Sequence, residues 1–188
     1  MANLADVKIV IYAKNAHLLE DRMRCSIDFK NNIMNLNGPK VLFEPYVQRD
    51  DSDPKAPLII TGYAKWWVDF DCFFKWSMSL YSADDSILRI KAFITESGIL
   101  AASCYTAVRY KDTIKLFAQN MSGDDVYDTL FKEDDPEEGI IPEEEVDYRY
   151  DDLEYLLEQQ KRDSLVCLSL SDYRMGIVRP VNQNHNEQ

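Results

Sequence analysis

Histidine occurs twice in 188 residues, at 17 and 185, and glycine six times, always singly, at 38, 62, 98, 123, 139 and 176. Two imidazoles so far apart suggest neither a metal-ligand pair nor a histidine proton relay. Isolated glycines exclude the phosphate-cradling P-loop and the G-x-S-x-G nucleophile elbow, which need glycine at short fixed spacing. The four cysteines, Cys25, Cys72, Cys104 and Cys167, include no C-x-x-C pair. Neither a zinc cluster nor a disulfide framework is thereby indicated, and reduced, mostly buried thiols are expected. No apolar run approaches the roughly 18–20 residues needed to span a bilayer. Residues 1–6 lack the basic and apolar parts of a signal peptide, so a cytosolic setting without membrane contact is expected. Asp50-Asp51-Ser52-Asp53 is acidic but lacks the glycine and terminal glutamate of a calcium loop. No catalytic residue, cofactor or metal site is predicted, and the chain reads as a non-enzyme.

Carboxylates and aromatic rings, by contrast, are abundant. Hydrophobic residues make up 46 % and aromatics 12 %, which supports a packed core and rules out a wholly disordered acidic protein. The net charge is −12, from 33 acidic and 21 basic residues. Sixteen of those acids lie in residues 124–158 beside only Lys132 and Arg149, so that stretch holds −14 and the remainder sums to +2. Evenly spread charge would bear only on solubility, whereas one concentrated block makes a field that a basic surface can recognise.

Along the chain, Val7, Ile9 and Ile11 alternate with Lys8, Val10 and Tyr12, an opening strand whose second face is also partly apolar. Asn15 is placed to cap a helix carrying Ala16, Leu19, Met23 and Ile27, although 25–29 could equally begin a strand. Asn37-Gly38-Pro39 signals a turn before a strand at 41–47, complicated by Pro45, and 48–57 is a polar loop and a candidate internal boundary. A strand at 58–63 is interrupted at Gly62. From 66 to 81 the period becomes helical, with Trp66, Phe70, Phe73, Ser77 and Leu80 on one stripe, widened by Trp67, Phe74 and Met78. Trp76 falls off that stripe and is expected to stand free as an anchor for a partner. Strands follow at 86–95, 99–110 and 113–119, joined by turns at Glu96-Ser97-Gly98 and Lys111-Asp112. The predicted organisation is a core over 1–120, an acidic loop over 121–142, an acidic helix and returning strand over 143–171, and a polar tail over 172–188.

Pro142-Glu143-Glu144-Glu145 places carboxylates at the positive end of a helix dipole, and a helix over 143–162 is expected. At 100° per residue, Val146, Tyr150, Leu153 and Leu157 share one stripe. Glu144, Asp147, Asp151, Glu154 and Glu158 share another, so one face docks and another displays charge. Tyr148 and Tyr155 lie among the acids, where they could stack on arginine of a basic partner. A solvated acidic face and an acidic flap over the chain's own surface remain open beside that reading. Pairing the strand meander brings Arg89, Lys91, Phe93, Tyr105, Arg109, Lys115 and Phe117 to one outer sheet face. Basic residues interleaved with rings on a sheet are how single-stranded nucleic acid is held. The net charge and the lack of an RNP-type motif weigh against direct nucleic-acid binding.

Strand, aromatic helix, alternating strand, hairpin and return strand over 62–110, with Phe93-Ile94-Thr95-Glu96-Ser97-Gly98-Ile99-Leu100-Ala101 at the hairpin, resemble the YubB-type ferredoxin-like domain of plasmids and phages. Lys65-Trp66 is also similar to a Lys-Trp pair of that family. The resemblance implies an α+β sandwich and a mobile-element origin, with no functional residues to carry over. The pattern as a whole predicts an α+β fold, an antiparallel sheet with helices on one face, bearing the acidic loop and helix as an extension. Its expected role is a cytosolic acidic inhibitor that occupies a basic, nucleic-acid-handling surface of a host defence or nuclease protein by nucleic-acid mimicry. The alternative is a sheet-face domain for single-stranded nucleic acid, gated by its own acidic segment.

Overall fold

A computed structural model describes residues 4–36, 41–65, 68–96, 101–121, 157 and 163–176, with the side chains of 163–167 excepted. Its strands are β1 (Leu4–Ala13), β2 (Ile27–Asp28), β3 (Ile33–Asn35), β4 (Val41–Gln48), β5 (Leu58–Lys65), β6 (Ile87–Glu96), β7 (Ala101–Tyr110), β8 (Thr113–Met121) and β9 (Asp163–Ser169). The helices are α1 (Ala16–Cys25), α2 (Phe70–Ala83) and α3 (Leu170–Arg174). All nine strands form one sheet in the order β2-β3-β4-β5-β1-β6-β7-β8-β9, and every pairing is antiparallel.

This overturns the expected α+β ferredoxin-like sandwich. The molecule is mostly one large antiparallel sheet, with three short helices among the described residues. The local pattern over 62–110 contains a single crossover: β5 and β6 both pair with β1, and α2 carries the chain past that central strand. A ferredoxin-like fold needs a second such unit. Here the sheet instead grows by direct pairing of chain neighbours, β7 and β8 on one side and β4 and β3 on the other.

Alternation decides which side of the sheet is apolar. Ala5, Val7, Ile9 and Ile11 of β1 lie beside Leu58, Ile60 and Ala64 of β5 and Ile90, Ala92 and Ile94 of β6, all buried. We call this the first face. Leu19 and Met23 of α1, and Cys72, Phe73, Trp76, Met78 and Tyr81 of α2, join the same core. Trp76 is therefore not a free anchor: the buried arc of α2 runs through Cys72, Phe73, Trp76 and Ser77, while Phe70, Phe74 and Leu80 are only half-buried. The helix begins where Asp69 accepts the Cys72 N–H at 2.8 Å, and this cap sets which residues its turns carry inward. Asn15, in contrast, makes no side-chain cap for α1. Of the cysteines, Cys72 and Cys104 are buried free thiols and Cys25 is exposed.

Candidate functional site

Hairpin loop lengths fix what the second face presents. Glu96 pairs with Ala101 across residues 97–100, so odd-numbered residues of β6 stand opposite even-numbered ones of β7. The Lys111-Asp112 turn, with Lys111 at φ 57°, pairs Tyr110 with Thr113 and reverses the parity again. The second face therefore carries the rows Tyr12–Arg89–Val108–Lys115, Val10–Lys91–Thr106–Phe117 and Lys8–Phe93–Cys104–Gln119.

Arg89, Lys91, Phe93, Lys115 and Phe117 share this face, whereas Tyr105 and Arg109 do not. Their expected place beside the others is corrected by the pairing of Glu96 with Ala101, which sets odd-numbered residues of β7 on the first face. Tyr105 packs on the first face against Phe70 and Phe73, with ring centroids 5.6 Å from each. Arg109 closes the end of α2: Nη2 donates to the Tyr81 carbonyl at 2.6 Å and the Asp84 carbonyl at 3.3 Å. Its Nη1 donates to the Asp85 carbonyl at 2.9 Å and to Asp85 Oδ1 at 3.1 Å. It thus satisfies carbonyls that a helix terminus leaves unpaired and places a cation at the negative end of the dipole. Hydrogen bonds from Arg109 and Arg174 hold the Asp85 carboxyl below its ordinary range, and burial pushes the Tyr81 hydroxyl far above its own.

Charge on the two faces is unequal. Within β1–β8, apart from the β4 irregularity described below, the second face carries Lys8, Lys65, Arg89, Lys91 and Lys115 against Asp6 and Asp28. Rings accompany the cations: the Arg89 guanidinium lies 4.0 Å over Tyr12, Lys115 Nζ 5.0 Å from Tyr110 and Lys91 Nζ 5.9 Å from Phe93. These contacts soften the loss of hydration at a sheet surface.

Part of this face is covered. Leu157, the one described residue of the expected acidic helix, is buried in a second apolar cluster with Val10, Phe93, Ala102, Cys104 and Met121. Gln119 Nε2 donates to the Leu157 carbonyl at 2.5 Å. Lys91 and Thr106 are buried in the same region. Glu144, Asp147, Tyr148, Asp151, Glu154, Tyr155 and Glu158 lie outside the described residues. Val10, Cys104 and Gln119 were not singled out by the sequence, although the partly apolar second face of β1 is the signal that something covers it.

The other half of the face, over β3–β5, is open. Tyr46 is 60 % and Tyr63 41 % exposed, with Phe43, Ile59 and Lys8 half-buried around them and Lys65 exposed. β4 is irregular between Phe43 and Tyr46: Phe43 pairs with Tyr63 and Tyr46 with Thr61, so residues three apart emerge on one face. Glu44 takes φ 49° to allow this, and its N–H donates to the Asn32 carbonyl at 3.0 Å. Gly62 is required opposite, because a Cβ there would lie 2.7 Å from Leu42 Cγ and 2.7 Å from the Phe43 carbonyl oxygen.

Among the described residues, no group of three or more His, Cys, Asp or Glu side chains could hold a metal ion. The acids of 50–53 serve their own loop: Asp50 accepts from Ser52, and Arg49 reaches Asp51 at 2.6 Å and Glu20 at 3.3 Å. No described helix is long and apolar enough to cross a membrane. No family model, curated protein or solved structure matches the chain.

Proposed function

We propose that the protein is a non-enzymatic, cytoplasmic binding protein of mobile-element origin that presents its acidic segment to a basic, nucleic-acid-handling protein of the host and inhibits it by mimicry. The observation that carries this reading is Leu157: its side chain is buried against the sheet and its carbonyl is held by Gln119, which anchors the segment's end to a rigid scaffold. In the helix expected over 143–162, a period of 100° per residue sets Glu144, Asp147, Asp151, Glu154 and Glu158 about 60–140° to one side of Leu157. Carboxylates held in a row steer a basic partner at long range and lose their grip as salt rises. Capture of host proteins by the wild type is expected to fall sharply between low and high salt. The triple variant Glu144→Lys/Asp147→Lys/Asp151→Lys is expected to capture none of the same proteins, and equal capture by both forms would overturn the reading.

One observation favours a second reading, in which the acidic segment gates a sheet face for single-stranded nucleic acid. The face on which Leu157 sits is the cationic one, bearing Arg89, Lys91 and Lys115 with Phe93 and Phe117. Opposite charges on cover and surface fit an autoinhibitory contact. Leu157→Asp, which places a carboxylate in an apolar cluster, is expected to release the cover and raise affinity for an oligonucleotide at low salt. An unchanged affinity would remove this reading and leave the first intact.

A further inference from the structure

We infer that the end of the second face carrying Tyr12, Arg89, Val108, Lys115 and Tyr110 is a docking surface for single-stranded nucleic acid that stays open while Leu157 is seated. The inference rests on the second reading only in taking the same face of the sheet, and it places the ligand beyond the cover instead of beneath it.

Burial falls away along the strands. In the rows Lys8–Phe93–Cys104–Gln119 and Val10–Lys91–Thr106–Phe117, six of the eight residues are buried. One row further, Tyr12, Arg89, Val108 and Lys115 are all only half-buried, and Tyr110 beyond them is 55 % exposed. Tyr12 touches the rim of the Leu157 cluster, so the cover thins within one row, about 7 Å along the strands.

Charge and side-chain type select the occupant. Among the described residues, no carboxylate engages Arg89 or Lys115, and each cation lies against a ring of its own sheet, Tyr12 and Tyr110. No acid takes a second-face position in this row or the one before it on β1, β6, β7 and β8, and the exposed Lys14 and Lys111 follow β1 and β7 at the same end. The acids nearby are already held on the side of α1 and α3: Asp84 by Arg22, Asp85 by Arg109 and Arg174, and Asp112 by Ser169 and Ser171. Asp50 and Asp51 are bound within their own loop by Ser52 and Arg49. Arg89 and Lys115 stand on the strands flanking β7, about 9–10 Å apart, with Val108 between them. Cations at that spacing take phosphates, while a guanidinium laid flat on a ring and an exposed tyrosine are surfaces on which unstacked bases lie. A duplex keeps its base faces stacked and cannot use them.

Fluorescence anisotropy of a labelled oligothymidylate with the full-length protein, titrated with salt, tests this. The wild type is expected to bind. Arg89→Gln/Lys115→Gln should weaken binding and flatten the log–log salt slope by about 0.7 for each lost phosphate contact. Tyr110→Ala, at an exposed position outside the core, should weaken it at least about fivefold, and Tyr110→Phe should not. Binding that appears only after Leu157→Asp would overturn this inference and keep the gated face, whereas no binding by either form would overturn both. Wild-type binding that survives Arg89→Gln/Lys115→Gln, or that polyglutamate displaces as well as unlabelled oligothymidylate does, would also overturn it.

Discussion

The two faces of the sheet solve the same packing problem in different ways. The first face buries Ile9, Ile11, Leu58, Ile60, Ile90 and Ile94 beneath α1 and α2, and within β1–β8, the β4 irregularity apart, its charged residues are Glu96 and Arg109, both near strand ends. The second carries lysine and arginine along its strands and, among the described residues, is sealed over β1 and β6–β8 by a small cluster that includes Leu157. Burial of branched aliphatic side chains supplies most of the stability of such a domain. The first face therefore supplies most of the stability, and the second contributes less.

That contrast can be broken by substitution. The largest effect is expected from Ile60→Ala on the first face, a loss of about 2–5 kcal/mol in urea unfolding, because a fully buried side chain leaves a cavity that a sheet cannot close. Gly62→Ala should cost about 1–3 kcal/mol, since one of its two close neighbours is a backbone carbonyl that cannot rotate aside. Glu96→Met should move stability the other way. Glu96 is buried with Oε1 unpartnered, and an apolar side chain of similar length removes that oxygen instead of exchanging it for another polar group, for an expected gain of roughly 1–3 kcal/mol. Leu157→Ala sharpens the comparison. If the second face is a ligand-exchange surface, hydrogen exchange should rise at β7 and β8 while global stability falls less than for Ile60→Ala. An equal global loss would make the two faces equivalent cores.

The smallest effect is a pH response. Arg109 and Arg174 hold the Asp85 carboxyl below its ordinary range, and hydrogen bonds from Ser171 and Ser169 do the same for Asp112. A depressed folded value means the stabilisation is fully present above the unfolded value of about 3.9 and is lost as the pH falls below it. Acid titration of Asp85→Asn/Asp112→Asn should therefore show a smaller loss of stability on going from neutrality to below about pH 4 than the wild type, the variant being slightly the less stable at neutrality and the two converging in acid. Both carboxylates are exposed, so solvent screening keeps the difference small.

Much of the strand pattern was legible in the sequence. Alternation located β1, β4, β5, β6, β7 and β8 within a few residues of their ends, and the returning strand expected at 165–170 is β9 at Asp163–Ser169. The short β2 and β3 offer too few residues for a period to show, and Ile33–Asn35 went unread. Facing was harder than existence. Whether Tyr105 joins Phe93 or opposes it depends on the parity of one loop, which composition does not encode, and a one-residue difference there exchanges the faces of β7. Trp76 failed for a related reason, since its orientation follows from where α2 is capped at Asp69. In the site, the cationic and aromatic character of β6 was visible beforehand. The Phe43–Tyr46–Tyr63 display was hidden behind a backbone irregularity that only Pro45 hinted at.

β8 and β9 are hydrogen-bonded neighbours, from Thr113 with Ser169 to Ala118 with Asp163, and residues 122–162 span the gap between their adjoining ends. The acidic stretch is in this respect an insertion into a hairpin, and closing a longer excursion between two fixed posts costs only logarithmically more than closing a short one. Its length and sequence can therefore drift, be exchanged, or be grafted onto another scaffold while the strands on either side stay in register.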